Sequence, residues 1–271
     1  MAYSSCRMEN NRTSLIILIL GATALISTTG WFISEQRRFR EPTPSESVSL
    51  PTTILKPASE SISQDISERL LQLGWDNDQA DEVMQKVRAS TVCLMAHAAS
   101  EHCDATAVVV GPDLLATCGH CAHGHEEERE TKTLFIRTIG GIKMDAKVLA
   151  IHPSTDLGLV QVVSNKETLP PPLVIGFASP GEAVVVVGHP SGIGTWVVKA
   201  GKILSVDSWG KGGYLADFSS EGGMSGSPVV NKRGELIGIL SGSTDSELPG
   251  NPKPATIESG TILRDLIEHN K

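Results

Sequence analysis

Twelve short segments rich in valine, isoleucine and leucine follow one another between residues 91 and 241, and they constrain the fold more than any other feature. Glycine, proline, aspartate and asparagine separate them, as is typical of β-strands joined by tight turns. Three prolines, Pro170 to Pro172, divide them into two groups of six, which predicts an all-β protein with two small antiparallel barrels. The predicted strands are 91–96, 105–110, 114–118, 133–138, 143–151, 158–163, 173–176, 183–188, 195–206, 213–217, 227–231 and 235–241, followed by a C-terminal helix at about 260–269.

The composition is that of a packed domain without a nucleic-acid surface. Of the 271 residues, 40% are hydrophobic, which suffices for a core, and the formal net charge is -8. No cluster of lysine and arginine follows the first 40 residues. We therefore expect no nucleic-acid partner, because proteins that bind nucleic acid carry basic patches.

The chain begins with a short tail, 1–12, and continues into a stretch without charged residues from Thr13 to Ser34. The length of this stretch matches the hydrocarbon core of a bilayer, and Trp31 suits the membrane interface. We therefore predict a transmembrane anchor at 13–34. The alternative is a signal sequence cleaved after Ala24, against which the apolar run continues to Ile33.

Two further segments precede the predicted strands. Residues 35–62 are rich in proline, serine and threonine, which predicts an extended linker. Residues 63–89 show helical apolar spacing that is interrupted at Gly74. Asp76 or Asn77 is suited to cap a second helix, so we predict a short helical segment folded as a hairpin and packed on the barrel domain.

A glycine-rich turn, Gly223-Met224-Ser225-Gly226-Ser227-Pro228, runs into an apolar strand and carries a candidate nucleophile. Glycine on both sides of the serine permits the backbone angles that turn N–H groups inward. We predict that Ser225 is the nucleophile and that the N–H groups of Gly223 and Ser225 form the oxyanion hole. A glycine-serine hairpin loop without chemistry is the alternative.

Two other segments offer the groups that a serine nucleophile needs. His120 follows the apolar strand 114–118, where its imidazole is suited to act as the general base. Asp156 stands before the strand 158–163, where a partly buried carboxylate needs a partner such as an imidazole N–H. Taken singly, a loop histidine and a turn-capping aspartate are the commoner interpretations. Together with Ser225 they supply a base, an orienting carboxylate and a nucleophile, which predicts acyl transfer.

These segments resemble the signatures of one protease family. The string at 117–121, Thr-Cys-Gly-His-Cys, resembles the Thr-Ala-Ala-His-Cys signature of trypsin-like serine peptidases, and the string at 155–160 resembles their Asp-Leu-Ala-Leu segment. The string at 223–228 resembles their Gly-x-Ser-Gly-Gly-Pro. The segment at 185–192 resembles the Gly-Asn-Pro-x-Gly turn of the Deg/HtrA branch, to which the chain is most similar.

The resemblance covers about 90–245 and implies a trypsin-like serine protease domain at 90–271 with the chymotrypsin fold. It implies a serine endopeptidase whose triad of His120, Asp156 and Ser225 lies in the cleft between the barrels. Only about 30 residues remain after Ser241, so we expect no PDZ domain. A catalytically silent protease-fold scaffold is the alternative, and the filled triad argues against it. Nothing in the sequence explains Met224, where the family usually carries asparagine.

The resemblance also locates the pocket for the side chain before the scissile bond. It places the base of the pocket at Ser219, six residues before the nucleophile. It places the wall at Ser241, Gly242 and Ser243, which also pair with the substrate backbone as an added strand. Because the base carries no acidic residue, and Leu240 stands where glutamate-specific relatives carry histidine, we expect a preference for small or medium apolar residues.

The tetrapeptide at 118–121, Cys-Gly-His-Cys, supports two rival interpretations. It matches the active-site tetrapeptide of disulfide isomerases, and with His123 and His125 it offers zinc ligands. The redox interpretation requires a strand that leads into a helix at Cys118, whereas the polar residues that follow predict a loop. There is also no second Cys-x-x-Cys motif. We therefore expect no metal ion and no cofactor.

The family resemblance implies a disulfide between Cys103 and Cys121, beside the catalytic histidine. Cys118 is left to pair with Cys93 or to stay free. The resemblance further implies protein or peptide substrates, and a homo-oligomer is compatible with the sequence. The arginines after the anchor favour a cytoplasmic domain, whereas the cysteines favour export. By analogy with membrane-tethered relatives, we expect the catalytic domain on the exported side of the membrane.

Overall fold

A computed structural model provides the structure, and it describes residues 64–123, 133–164, 169–206, 212–244 and 253–271. The predicted tail, transmembrane anchor and linker lie outside the described residues. Among the helices of the described ranges, none is long and apolar enough to cross a bilayer.

Six antiparallel strands close into a first barrel. Their order around the barrel is β1-β2-β3-β6-β5-β4. The strands are β1 (Thr91–Met95), β2 (Ala105–Val109), β3 (Leu114–Thr117), β4 (Thr133–Arg137), β5 (Lys143–Ile151) and β6 (Gly158–Val162). β1 and β2 are buried along their whole length, so both faces of these two strands are packed.

A second closed barrel follows, with the order β10-β11-β12-β9-β8-β7. Its strands are β7 (Ala183–Gly188), β8 (Val197–Val206), β9 (Tyr214–Ala216), β10 (Pro228–Asn231), β11 (Leu236–Ser243) and β12 (Ala255–Ser259). The prediction of two six-stranded antiparallel barrels is therefore confirmed.

Two strand assignments were wrong. The segment 173–176 forms no strand, because it meets the second barrel only at a single bridge between Ile175 and Leu236. The preceding prolines lack the N–H groups that a longer ladder requires. The sixth strand of this barrel is instead β12, whose Thr256 and Glu258 alternate with buried residues and break any apolar run. The alternation of buried and partly exposed residues in β12 is too short to give a clear strand signal in the sequence.

The predicted helical hairpin is confirmed as α1 (Gln64–Gln72) and α2 (Asn77–Ser90). Asp76 caps α2, since its side chain accepts the N–H of Gln79 at 2.8 Å. The hairpin packs on β1 and β8. Arg69 lies 3.3 Å from Asp217, so α1 also contacts the segment that precedes the glycine-rich turn at 223–228, called the nucleophile turn below. The C-terminal helix, α4 (Gly260–Glu268), is confirmed as well.

The cysteine pairing differs from the prediction. Cys93 in β1 is bonded to Cys103, with 5.2 Å between their Cα atoms, so the predicted Cys103–Cys121 disulfide is wrong. The β1–β2 hairpin is the physical reason, because the pairing of Leu94 with Ala105 brings Cys103 next to Cys93. Cys118 and Cys121 are both free and buried.

Candidate active site

A short helix places the candidate base immediately after β3. This helix, α3 (Gly119–His123), was predicted as a loop, and it carries His120 half-exposed at the edge of the first barrel. The imidazole Nδ1 of His120 lies 2.7 Å from Oδ2 of Asp156, and the backbone N–H of His120 donates to Oδ1 at 2.8 Å. Both carboxylate oxygens therefore contact one residue, which fixes the orientation of its ring.

This pairing shifts the titration of both groups. The hydrogen bond to the carboxylate of Asp156 is the main reason that the pKa of His120 rises to about 10, and contact with Cys121 adds to the rise. Burial alone would raise the pKa of Asp156, but hydrogen bonds from His120 and Ser241 outweigh it and lower that pKa. An aspartate that stays ionised beside the imidazole favours the imidazolium that proton transfer creates.

The nucleophile turn depends on two glycines in the left-handed region. Gly223 has φ +85° and Gly226 has φ +89°. A Cβ on Gly223 would lie 2.3 Å from the carbonyl oxygen of His189, and one on Gly226 would lie 1.8 Å from that of Thr106. Both values are far below any permitted contact, so the turn accepts only glycine at these positions.

Thr106 of β2 joins the first barrel to this turn. Its backbone N–H donates to the carbonyl of Ser225 at 2.9 Å, and its hydroxyl donates to the carbonyl of Gly223 at the same distance. The turn is also closed on itself, because Met224 N–H donates to the carbonyl of Glu221 at 3.1 Å. Sequence reasoning missed Thr106, since a threonine inside a valine-rich strand gives no signal of this role.

The two predicted oxyanion donors are not used within the described part of the chain. Neither the N–H of Gly223 nor that of Ser225 donates to a described residue, although their carbonyls both accept from Thr106. Two uncommitted N–H groups beside a serine hydroxyl are what a tetrahedral oxyanion requires.

Ser241 connects the candidate nucleophile to the His120–Asp156 pair. The hydroxyl of Ser225 donates to the carbonyl of Ser241 at 3.2 Å, and the hydroxyl of Ser241 donates to Oδ2 of Asp156 at 2.7 Å. Among the described residues, no direct hydrogen bond joins Ser225 to His120. The structure thus gathers all three predicted residues at the seam between the barrels, with Ser241 as the link. In proteases without substrate, catalytic hydrogen bonds are often long or unformed.

Met224, which the sequence left unexplained, is completely buried. Its side chain belongs to the apolar interior of the second barrel, together with Val186, Val229 and Leu240. A large apolar side chain next to the nucleophile therefore anchors the turn to that core by packing.

An ion pair lies beside the predicted pocket base. Lys199 Nζ donates to the carbonyl of Ser219 at 2.9 Å and also contacts the carboxylate of Glu221. The hydroxyl of Ser219 donates to that same carboxylate at 3.1 Å. Ser220 N–H reaches the hydroxyl of Ser243 at 3.2 Å, so the predicted base and wall are joined. The Lys199–Glu221 pair was missed, because the two residues are far apart in sequence.

The structure also contains a cleft of about 690 Å³. It extends from the loop before β2 to the loop between β7 and β8. Its lining includes His102, Asp104, Pro190, Ser191 and Ile193. The N–H of Ser191 donates to the carbonyl of Gly222 at 2.8 Å, so one wall of the cleft supports the nucleophile turn directly.

The two free thiols lie against the candidate base. Cys118 donates from its sulfur to the carbonyl of Leu240 at 3.0 Å and also hydrogen-bonds Cys121. Burial raises the pKa of Cys118, whereas the hydrogen bond between the two thiols lowers the pKa of Cys121 to about 6. Of the predicted zinc partners, His125 lies outside the described residues. The donor atoms that converge here belong to Cys118, His120 and Cys121.

Two six-stranded antiparallel barrels, with a histidine–aspartate pair on the first and a glycine-framed serine turn on the second, define a protein of the chymotrypsin fold. Residues 105–239 match the family of the trypsin-like peptidase domain. The chain therefore contains a trypsin-like peptidase domain, the domain of serine-type endopeptidases.

A curated relative agrees with this assignment. Serine protease HTRA1B of Danio rerio is 30% identical over 144 residues, which cover 49% of this chain and 28% of that protein. The chain thus spans little more than a quarter of the length of the relative that it matches.

Solved structures share the fold. The Rv3671c protease of M. tuberculosis H37Rv in an inactive form has a TM-score of 0.54 at 21% identity, over 70% of this chain and 92% of that one. The serine endoprotease from Yersinia pestis has 0.57 at 19% identity, over 72% and 66%. The HtrA-type protease AlgW with decapeptide has 0.55 at 16% identity, over 69% and 67%. At these identities the similarity concerns the fold.

Proposed function

We propose that the protein is a serine endopeptidase that cleaves peptide bonds through Ser225, His120 and Asp156. The observation that carries the proposal is the hydrogen-bonded chain from Asp156 through Ser241 to Ser225, with His120 held on the same carboxylate. A nucleophile, a base and an orienting carboxylate at one seam are the parts that acyl transfer needs.

Substrate binding supplies the step that closes the triad. Beyond Leu240, β11 pairs with β12 on one edge, and no described strand pairs with its other edge. A peptide added along Ser241 to Ser243 presents a backbone N–H to the carbonyl of Ser241. That N–H competes with the hydroxyl of Ser225, which then rotates to donate to His120.

The chemistry follows from these positions. His120 accepts the proton of Ser225 as the Ser225 oxygen forms a bond to the scissile carbonyl carbon. The N–H groups of Gly223 and Ser225 donate to the resulting oxyanion. Breakdown of the tetrahedral species transfers the proton from His120 to the leaving amine and leaves an acyl-enzyme. Water then repeats the sequence, releases the acid product and restores Ser225.

The pocket favours an uncharged side chain of small or medium size before the scissile bond. Lys199 and Glu221 neutralise each other beside Ser219, so the base offers no net charge to an incoming arginine or glutamate. The hydroxyl of Ser219 is already committed to Glu221. An apolar side chain gives up no favourable hydration at this uncharged pocket base, whereas an ionised side chain loses its hydration without gaining a partner.

A peptide series that differs only at the residue before the cleavage site tests this specificity. We expect alanine and valine substrates to be cut with higher kcat/KM than arginine and glutamate substrates. The Ser225→Ala variant controls for contaminating proteases. Cleavage confined to arginine-containing peptides would contradict the pocket assignment, while absence of cleavage in the whole series would favour the silent scaffold.

The same proposal includes tethering to a membrane through 13–34, with the catalytic domain on the exported side. The charge-free stretch supports the tether. The Cys93–Cys103 disulfide supports an oxidising compartment. Protease protection on intact membranes tests both points, because an exported domain is digested from the outside without detergent. Protection of the domain until detergent is added would contradict export.

A further inference from the structure

Two free thiols, Cys118 and Cys121, lie beside the candidate base and have no part in the proposed peptidase chemistry. We propose that Cys118, His120 and Cys121 form a binding site for a thiophilic divalent cation such as Zn²⁺, and that an ion bound there inhibits the enzyme. The potential ligand atoms of the three residues all lie within 4.8 Å of one another. Inhibition rests on the peptidase function proposed above, whereas binding of the ion does not.

The spacing of the three donor atoms fits a tetrahedral ion. With zinc–sulfur bonds of about 2.3 Å, two thiolates on one ion lie about 3.8 Å apart, and a thiolate and an imidazole nitrogen lie slightly closer. Donor atoms already within 4.8 Å therefore need to move together by roughly 1 Å to reach these separations. The turn from β3 into α3 creates this arrangement, because it folds the four residues 118–121 into one compact loop.

The surroundings also suit an ion. Because Nδ1 of His120 is hydrogen-bonded to Asp156, Nε2 is the ring nitrogen left to bind an ion, and a histidine paired with a carboxylate in this way is common in metal sites. Both carboxylate oxygens of Asp156 contact His120, so a negative charge adjoins the proposed ligands. It therefore favours a divalent cation. The softness of two sulfur donors selects zinc-like ions over magnesium or calcium.

Inhibition follows because the ion and the proton of Ser225 would compete for one lone pair of His120. The Nε2 lone pair that would bind the ion is the same lone pair that accepts the proton of Ser225 during catalysis. An ion on His120 therefore blocks the general base without disturbing the nucleophile turn. Three protein ligands leave one position open, so the ion is exchangeable and a chelator restores activity.

Metal uptake by the full chain without an affinity tag tests the site independently of activity. Dialysis against Zn²⁺ is followed by metal analysis, and Co²⁺ is added to a second sample to detect thiolate-to-cobalt absorption. We expect one ion per chain, with loss of uptake and of the absorption band in both Cys118→Ser and Cys121→Ser. The His269→Ala variant removes a histidine just after α4, far along the chain from the cluster, and should bind as the parent does.

Three results would overturn the site. They are no uptake by the parent protein, uptake that both serine variants retain, or a Cys118–Cys121 disulfide found by alkylation and peptide mapping of the native protein. Because Cys118 is fully buried, the thermal unfolding of each variant is compared with the parent. Cys121→Ser provides a second test if Cys118→Ser fails to fold.

Activity measurements then test the inhibition. With stoichiometric Zn²⁺ we expect at least tenfold loss of peptidase rate in the parent, recovery with chelator, and no loss in Cys121→Ser relative to its own metal-free rate. Uptake without loss of rate would overturn the inhibitory role and leave the site. Uptake in a protein that cleaves no peptide and takes no covalent serine label would instead overturn the peptidase proposal.

Discussion

The two barrels position their residues of the candidate site by different kinds of contact. In the first barrel, one side chain positions the candidate base, since the Asp156 carboxylate contacts both the imidazole and the backbone N–H of His120, and Ser241 of the second barrel donates its hydroxyl to the same carboxylate. In the second barrel, backbone conformation dominates, since the turn around Ser225 is fixed mainly by hydrogen bonds to its main chain and by two positive-φ glycines. The proton-transfer half of the site is thus sensitive to side-chain chemistry, and the nucleophile half is sensitive to backbone shape.

This contrast predicts which changes separate activity from folding. Removing a functional group in the first barrel should abolish chemistry and leave the fold intact, because His120 is half-exposed. Adding a single carbon to the nucleophile turn should disturb both, because the turn has no room for it.

The largest expected effect is that of His120→Ala. Without the general base, kcat should fall by about 10⁶-fold, as expected for a triad that acts as a unit. Thermal unfolding should change little, because the imidazole is half-exposed and buries little surface. Single-turnover kinetics and calorimetry check the two parts. Loss of less than about tenfold would contradict the assignment of the base.

The next largest effect is that of Asp156→Asn, with a fall in kcat of about 10⁴-fold. The variant also tests the pH dependence. Catalysis requires neutral His120, so kcat/KM of the parent should rise with pH, with a midpoint above the ordinary imidazole range because the pKa of His120 is raised to about 10. Loss of the Asp156 charge lowers that pKa and moves the midpoint to lower pH. A midpoint that stays in place would show that Asp156 does not act on His120.

Gly223→Ala tests the backbone half. The new Cβ collides with the carbonyl of His189, so the N–H of residue 223 must move away from the oxyanion. Loss of one oxyanion donor lowers kcat by about 10²- to 10³-fold. Gly222→Ala is the matched control, because its Cβ would meet only the hydroxyl of Ser191 at 3.9 Å. Equal effects of the two substitutions would contradict the role of the turn.

Met224→Ala has the smallest expected effect on rate. It should lower the free energy of unfolding by about 2–5 kcal/mol, as large-to-small core substitutions do. Met95→Ala, in the interior of the first barrel, should cost a similar amount, since Met95 is equally buried. Only Met224→Ala should also lower kcat, because Met224 anchors the nucleophile turn. Equal kcat values for the two variants would show that the turn does not depend on this packing.

Much of the fold could be predicted from the sequence, because valine-rich strands and turn residues alternate so regularly. Eleven of the twelve predicted strands correspond to observed strands, and the error at 173–176 arose where prolines precede an apolar run. β12 was not predicted because Ile257 is its only large apolar side chain. A strand of this kind is specified by its partners β9 and β11 rather than by its own composition.

The candidate site could be proposed from the sequence where its residues occur in ordered strings, and not where it depends on distant contacts. Ser225, His120 and Asp156 each stand in a recognisable local context. Thr106 and the Lys199–Glu221 pair do not, since their roles exist only once the barrels have formed. The disulfide was assigned to the wrong partner for the same reason. Cys93 and Cys103 are bonded because the β1–β2 hairpin brings them close together, which the family resemblance did not indicate.

Covalent labelling with a fluorophosphonate tests directly whether Ser225 is an activated nucleophile. We expect one label per chain, located on Ser225 by peptide mass analysis, with none on Ser225→Ala and much slower labelling of His120→Ala. Folded protein that takes no label, or that carries the label on another residue, would contradict this assignment.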